Sequence, residues 1–188
     1  QSLLETFCKK TSRKEYLDSV VKILRDWTDC RCVGIRVIDE QGNAPYESCV
    51  GFDEHFLGEE NWLCIGRDEC VCTSAMEGSW TGLNELPVTP GGSFCTGNSM
   101  ALVESLTPET TARLRGFCVR VGFASLAVIP IRRQGKTLGA IHLADEREGV
   151  ISPPGVEILE SMALLVAEAI HRFNIEARLR SVSAYTRS

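Results

Sequence analysis

The sequence has no run of 18 apolar residues, and no basic stretch followed by an apolar one near its start. Nothing in it therefore reads as a membrane-spanning helix or a secretion signal. It has only three histidines, and it lacks His-Glu-x-x-His, Cys-x-x-Cys, Cys-x-x-Cys-His and a nucleophile elbow. Metalloprotease, zinc-ribbon, attached-haem and hydrolase readings thus find no motif to stand on. Positive charge is also short: the formal net charge is -5, against the basic patch a nucleic-acid binder needs. No internal repeat and no low-complexity segment is present. What the chain has in plenty is cysteine, nine in 188 residues, three of them in "CIGRDECVC" (64–72). An odd count without a secretion signal argues against a disulfide framework and for a reducing, cytoplasmic setting. The first residue is Gln1, which reads as a domain cut from a longer protein.

Ser12 and Glu15 form a capping box, and Leu17, Val20, Val21 and Leu24 follow at helical spacing, which predicts a helix over 13–28. "CVGIRVID" (32–39) alternates Val33, Ile35 and Val37 against Gly34, Arg36 and Ile38, as a strand does, and "PYESCV" (45–50) reads as its returning partner. Residues 52–106 are rich in glycine and proline and hold no long periodic segment. A Thr107-Pro108 start predicts a helix to about Phe117. "FASLAVIPI" (123–131), the turn "RRQGK" and "TLGAIHLA" (137–144) predict a second hairpin. Ser152-Pro153-Pro154 opens a last helix to about Leu179, with Leu159, Met162, Val166, Ala169 and Phe173 as a heptad-like seam. Four arginines near the end (172, 178, 180 and 187) are spread out and read as a solvated helix face. The expected class is α+β: a central antiparallel sheet with flanking helices.

The stretches "YLDSVVKILRDWTDCRCVGIRVIDEQG" (16–42) and "GFASLAVIPIRRQGKTLGAIHLADEREGVISPPGVEILESMALLVAEAI" (122–170) resemble a GAF domain, the small-molecule sensing fold of sensor kinases, phosphodiesterases and phytochromes. The resemblance implies a GAF/PAS-like sheet of five or six strands, a ligand pocket between one sheet face and the middle region, and a homodimer through the terminal helices. It also implies that the long C-terminal helix carries the signal onward. On this basis residues 1–180 are expected to be one sensory domain, and 181–188 a tail or linker to a downstream domain.

Three chemistries compete for the cysteines. Four thiolates suit zinc or an iron–sulfur cluster, and Cys64, Cys70, Cys72 and Cys118 are the candidate set, with Cys95 in reserve. Haem is a variant, with one of Cys64, Cys70 and Cys72 or His142 as axial ligand; His142 is expected on the same strand face as Leu138 and Ala140. Thiol redox is the second. GAF-type enzymes that reduce free methionine sulfoxide use cysteines in this region, and Cys64, Cys72 and Cys95 have a similar order. The apolar strand offers that enzyme no carboxylate, and Asp145 and Glu146 are the nearest. The third is an organic ligand in a pocket lined by Trp62, Trp80, Ser93, Cys95 and His142. The cyclic-nucleotide motif of the family is absent, because its place reads "ADEREGVIS". Cys8, Cys30, Cys32 and Cys49 are expected to be packing residues. The reading is a sensory domain without catalysis of its own, as in a sensor histidine kinase, with the thiol-redox enzyme as alternative.

Overall fold

The computed structural model describes residues 12–185, so Cys8, the first residues and the last three of the expected tail lie outside the described residues. Helix α1 (Arg13–Thr28) starts at the expected capping box: the Ser12 Oγ accepts the Glu15 N–H, and Glu15 Oε2 accepts the Ser12 N–H at 2.9 Å. The strands are β1 (Cys32–Val37), β2 (Tyr46–Val50), β3 (Phe94–Thr96), β4 (Ser125–Arg133) and β5 (Lys136–Asp145). They form one sheet in the order β2-β1-β5-β4-β3, with every pairing antiparallel. Between β2 and β4 lie short helices: α2 (Glu54–Glu60), α3 (Val71–Glu77), α4 (Ser99–Ser105), α5 (Pro108–Ala112) and α6 (Phe117–Arg120). The long helix α7 (Pro153–Tyr185) closes the described chain.

The sheet is covered on both faces, which is why β4 is apolar without alternation. One face, with Val33, Ile35, Val37, Ala127, Ile129, Ile131, Ile141 and Leu143, packs against α1 and α7. The other, with Cys32, Leu126, Val128, Ala140 and Ala144, packs under the short helices. The predicted seam is used inside the domain. Leu159, Val166 and Ala169 are buried, Met162 and Phe173 pack beside them, and the Phe173 ring lies 5.8 Å from that of Tyr16. Beyond it α7 continues past the expected end at Leu179, carrying exposed Ile175, Leu179 and Val182.

Two expectations are corrected. The helix expected over 108–117 is two short ones, because Gly116 takes a left-handed conformation (φ 61°) between them, so Cys118 lies within α6 rather than after a helix. Leu138 does not share the face of Ala140. A register irregularity opposite Ile131/Arg132 sends Leu138 to the α1/α7 side, while Ala140 faces the short helices.

Candidate functional site: an apolar cleft with a buried arginine and two thiols

The short helices leave a cleft of about 300 Å3 between themselves and the β3–β4 edge of the sheet. Its walls are Leu86, Phe94, Leu102, Leu114, Phe117 and Leu126, with Cys70 and Cys118 in the lining and Arg120 at the exposed rim. The surface is almost wholly apolar, so it suits an organic ligand or the organic part of one.

On the same face of the sheet, across β5 from the cleft's strands, Arg36 of β1 is fully buried. Strand alternation places it opposite Val33, Ile35 and Val37, on the face that the short helices cover. Its Nη1 donates to the Ala44 carbonyl at 2.7 Å and its Nη2 to the Glu60 carbonyl at 2.7 Å, while Nε has no partner. The guanidinium lies 3.7 Å from the centre of the Tyr46 ring. Gly34 makes room for that ring, since a Cβ there would stand 2.6 Å from Tyr46 Cε1. The Tyr46 hydroxyl is hydrogen-bonded to His142 Nδ1 at 2.7 Å, and Phe52 stacks on the imidazole. Burial, reinforced by the Arg36 charge, pushes the His142 pKa down to about 3, so the ring is neutral.

Cys70 caps α3, and its N–H donates to Thr73 Oγ1 at 3.0 Å. Cys70 and Cys72 lie in the same buried cluster, where the neighbouring Cys72 side chain lowers the pKa of Cys70, and Cys70 together with burial raises that of Cys72 well above the usual value. Cys118 is buried in the same cluster, its pKa raised by burial and then by Cys70. The Glu60 carboxylate, 1 % exposed, is held by Arg115 Nη2 at 2.9 Å.

The structure redistributes the expected site residues. Cys70, Cys72 and Cys118 come together, but Cys64 sits half-buried in a loop whose backbone bridges to Asn43. Among the described residues no three His, Cys, Asp or Glu side chains stand where they could hold a metal ion, so the four-thiolate cage for zinc or an iron–sulfur cluster is not assembled. Cys95 is corrected from the pocket to the opposite face, among the residues packed on α1 and α7, because Phe94 takes the cleft-facing position of the three-residue β3. The redox set Cys64, Cys72 and Cys95 is therefore split by the sheet. Asp145 and Glu146 are engaged by Arg147 and Arg31 at the end of β5 and do not line the cleft. His142 is tied to Tyr46 and does not reach the cleft lining, which removes it as a haem ligand there. Trp62 is 71 % exposed, and Trp80 is half-buried against the short-helix core; neither lines the cleft.

Ser93 is fully buried, but it serves a different purpose from ligand contact. Its Oγ donates to Glu160 Oε1 of α7 at 2.6 Å, and Thr89 Oγ1 donates to the same oxygen. Arg132 of β4 donates to the Gly91 carbonyl at 2.8 Å and to the Ala75 carbonyl of α3 at 3.2 Å. The loop 89–93 is thus fastened to α3 on one side and α7 on the other. Arg36, Tyr46 and Glu160 were not singled out from sequence. An arginine in mid-strand, in phase with a glycine two residues before it, was the available signal for the first two.

A model of the GAF domain matches residues 12–170. The chain belongs to the GAF-domain family. Solved structures share its fold: a domain assigned to a two-component sensor histidine kinase of Sinorhizobium meliloti matches with TM-score 0.63 and 15 % identity, over 91 % of this chain and 99 % of that one. The type II free methionine-R-sulfoxide reductase of Thermoplasma acidophilum matches with TM-score 0.59 and 18 % identity, over 92 % and 97 %. The GAF domain of a phosphoenolpyruvate-protein phosphotransferase from Coxiella burnetii matches with TM-score 0.67 and 14 % identity, over 94 % and 92 %. Among curated protein sequences the chain has no significant match. No helix among the described residues is long and apolar enough to cross a membrane.

Proposed function

We propose that this GAF domain is the sensory module of a signalling protein such as a sensor histidine kinase, and that its input is an apolar small molecule held in the cleft. The observation that carries the reading is the loop 89–94. It supplies Phe94 to the cleft wall and, one residue away, bonds Ser93 to Glu160 of α7. A ligand that displaces Phe94 strains those bonds, so ligand and α7 position share one free energy. The output is a shift of α7 against α1 in a homodimer. Ile175, Leu179 and Val182, spaced four and three residues apart on an exposed helix end, are the seam for the second copy. Leu179→Glu puts a charge in that seam, and sedimentation is expected to show the dimer weakened by at least about tenfold; an unchanged dimer would place the interface elsewhere.

The cleft itself is tested with 2-phenyl-2-propanol, a compact apolar alcohol, followed by displacement of a fluorescent naphthalene dye. Val103→Trp fills the cleft from α4 and is expected to weaken binding by about tenfold or more. Trp62→Ala, at the exposed tryptophan, leaves it unchanged. The same affinity in the Val103→Trp variant contradicts the assignment.

A further inference from the structure

We propose that the small molecule held in the cleft is an amphipathic monocarboxylate, with its hydrocarbon or aryl body against the apolar walls and its carboxylate on Arg120 at the mouth. The inference rests on the cleft being a ligand pocket and names the chemical class of its ligand. Three observations converge. First, Arg120 is the one charged residue among the described residues that line the cleft. The acids of the two flanking helices, Glu104 of α4 and Glu109 of α5, are not part of that lining. Second, Arg113 and Arg115, from the same stretch of chain, are paired with Glu69 at 3.5 Å and Glu60 at 2.9 Å, whereas no carboxylate engages Arg120 among the described residues. Its Nη1 donates to the Arg115 carbonyl, and its guanidinium carbon lies 5.5 Å from the centre of the Phe117 ring. These contacts hold the group at the mouth and leave Nε and Nη2 open. Third, the inner wall has no hydroxyl donor to spare. Ser99 Oγ donates to the Phe123 carbonyl and Thr111 Oγ1 to the Thr107 carbonyl, which leaves only the weakly donating thiols of Cys70 and Cys118.

Together these facts decide where the ligand carries its polarity. A charged group taken into the depth of the cleft would lose its water and find no partner, which is costly. The same group at the mouth keeps part of its hydration and meets a planar fork of donors that matches a carboxylate. One cation balances one negative charge. A phosphate monoester would bring a second charge without a partner, and a cationic ligand would be repelled. The cleft, at about 300 Å3, lies at the small end of such sites, which suits a single aryl ring or a medium-length chain.

Arg120 is exposed, so water screens its pairing, and the carboxylate contributes selectivity more than strength. The apolar body supplies most of the binding and meets Phe94, on the loop bonded to α7. Arg120 fixes which end of the molecule faces solvent, so that the body enters first.

The test compares 3-phenylpropanoate with 3-phenylpropanamide, a neutral compound of the same shape, by titration calorimetry at pH 7 and low salt. The parent is expected to bind the acid at least about fivefold more tightly than the amide. That preference should shrink as salt is raised to about 1 M. Arg120→Gln should bring the two affinities together by weakening the acid alone, and unchanged binding of the amide shows that the cleft is intact. Arg25→Gln removes the same charge from α1, on the other side of the sheet, and should keep the parent's preference. Val103→Trp should weaken both compounds, which places both in the cleft. Equal affinities in the parent, a preference that survives in Arg120→Gln, or binding of 2-phenyl-2-propanol alone overturns the inference while the cleft stands. If neither compound binds and the alcohol does not either, the ligand-pocket reading fails and this inference with it.

Discussion

Arg36→Met is expected to destabilise the domain by on the order of 3 kcal/mol, read as a lower midpoint in urea at pH 7 with an unchanged slope. Two effects oppose each other. Removing a buried guanidinium relieves its desolvation, and replacing a buried charge by an apolar residue can be neutral or even favourable when its partners are replaced too. Here the partners stay. The Ala44 and Glu60 carbonyls lose their donors in a site closed to water, at roughly 1–3 kcal/mol each, and the contact with the Tyr46 face is lost as well. The unpaired carbonyls decide the sign. Arg36→Lys keeps the charge but cannot fork to both carbonyls, so an intermediate loss is expected. A Met variant as stable as the parent would mean that those carbonyls find other donors.

The second large effect is on acid stability. His142 has a folded-state pKa of about 3, below its unfolded value, so between those two values the unfolded chain binds a proton that the folded chain refuses. The contribution is present in full above about pH 6.5 and is lost as the pH falls toward 3, at about 1.4 kcal/mol for each unit. The groups facing the ring are Tyr46, Phe52, Phe56 and the Arg36 charge, and none offers a counter-anion to rescue the imidazolium. His142→Gln can still meet the Tyr46 hydroxyl and does not titrate. Unfolding free energy measured from pH 7 to pH 4 is expected to fall less steeply in this variant, by about that slope. Equal slopes would show that His142 takes up its proton while folded.

The parts of the fold that the sequence displayed are those with period and punctuation. Helix α1 has a capping box and five buried positions at helical spacing, and its bounds match the expectation of 13–28. The β4–β5 hairpin and α7 were also legible, because apolar runs and a proline start mark them. The middle was not legible. Helices of four to seven residues are too short to show a period, and they exist only because the sheet beneath them supplies the packing. This limit explains the site errors. The run "CIGRDECVC" looked like a metal loop, but α3 begins inside it and turns Cys70 and Cys72 onto the sheet while Cys64 stays in the loop. Cys95 looked like a pocket residue, but a three-residue strand that lacked any visible period set its face. Arg36 was placed on the correct side of β1 by alternation; that this side is buried depends on helices the sequence did not announce.

The central claim is that the cleft and α7 are coupled through the loop at Thr89 and Ser93. It is tested most directly by hydrogen exchange of the amides in residues 153–166, with and without saturating 2-phenyl-2-propanol. The account predicts a change of several-fold in exchange over the first turns of α7, on the order of 1 kcal/mol, and its loss in the double variant Thr89→Val/Ser93→Ala, where both side-chain bonds to Glu160 are gone. Exchange in α7 that is identical with and without the bound alcohol would contradict it.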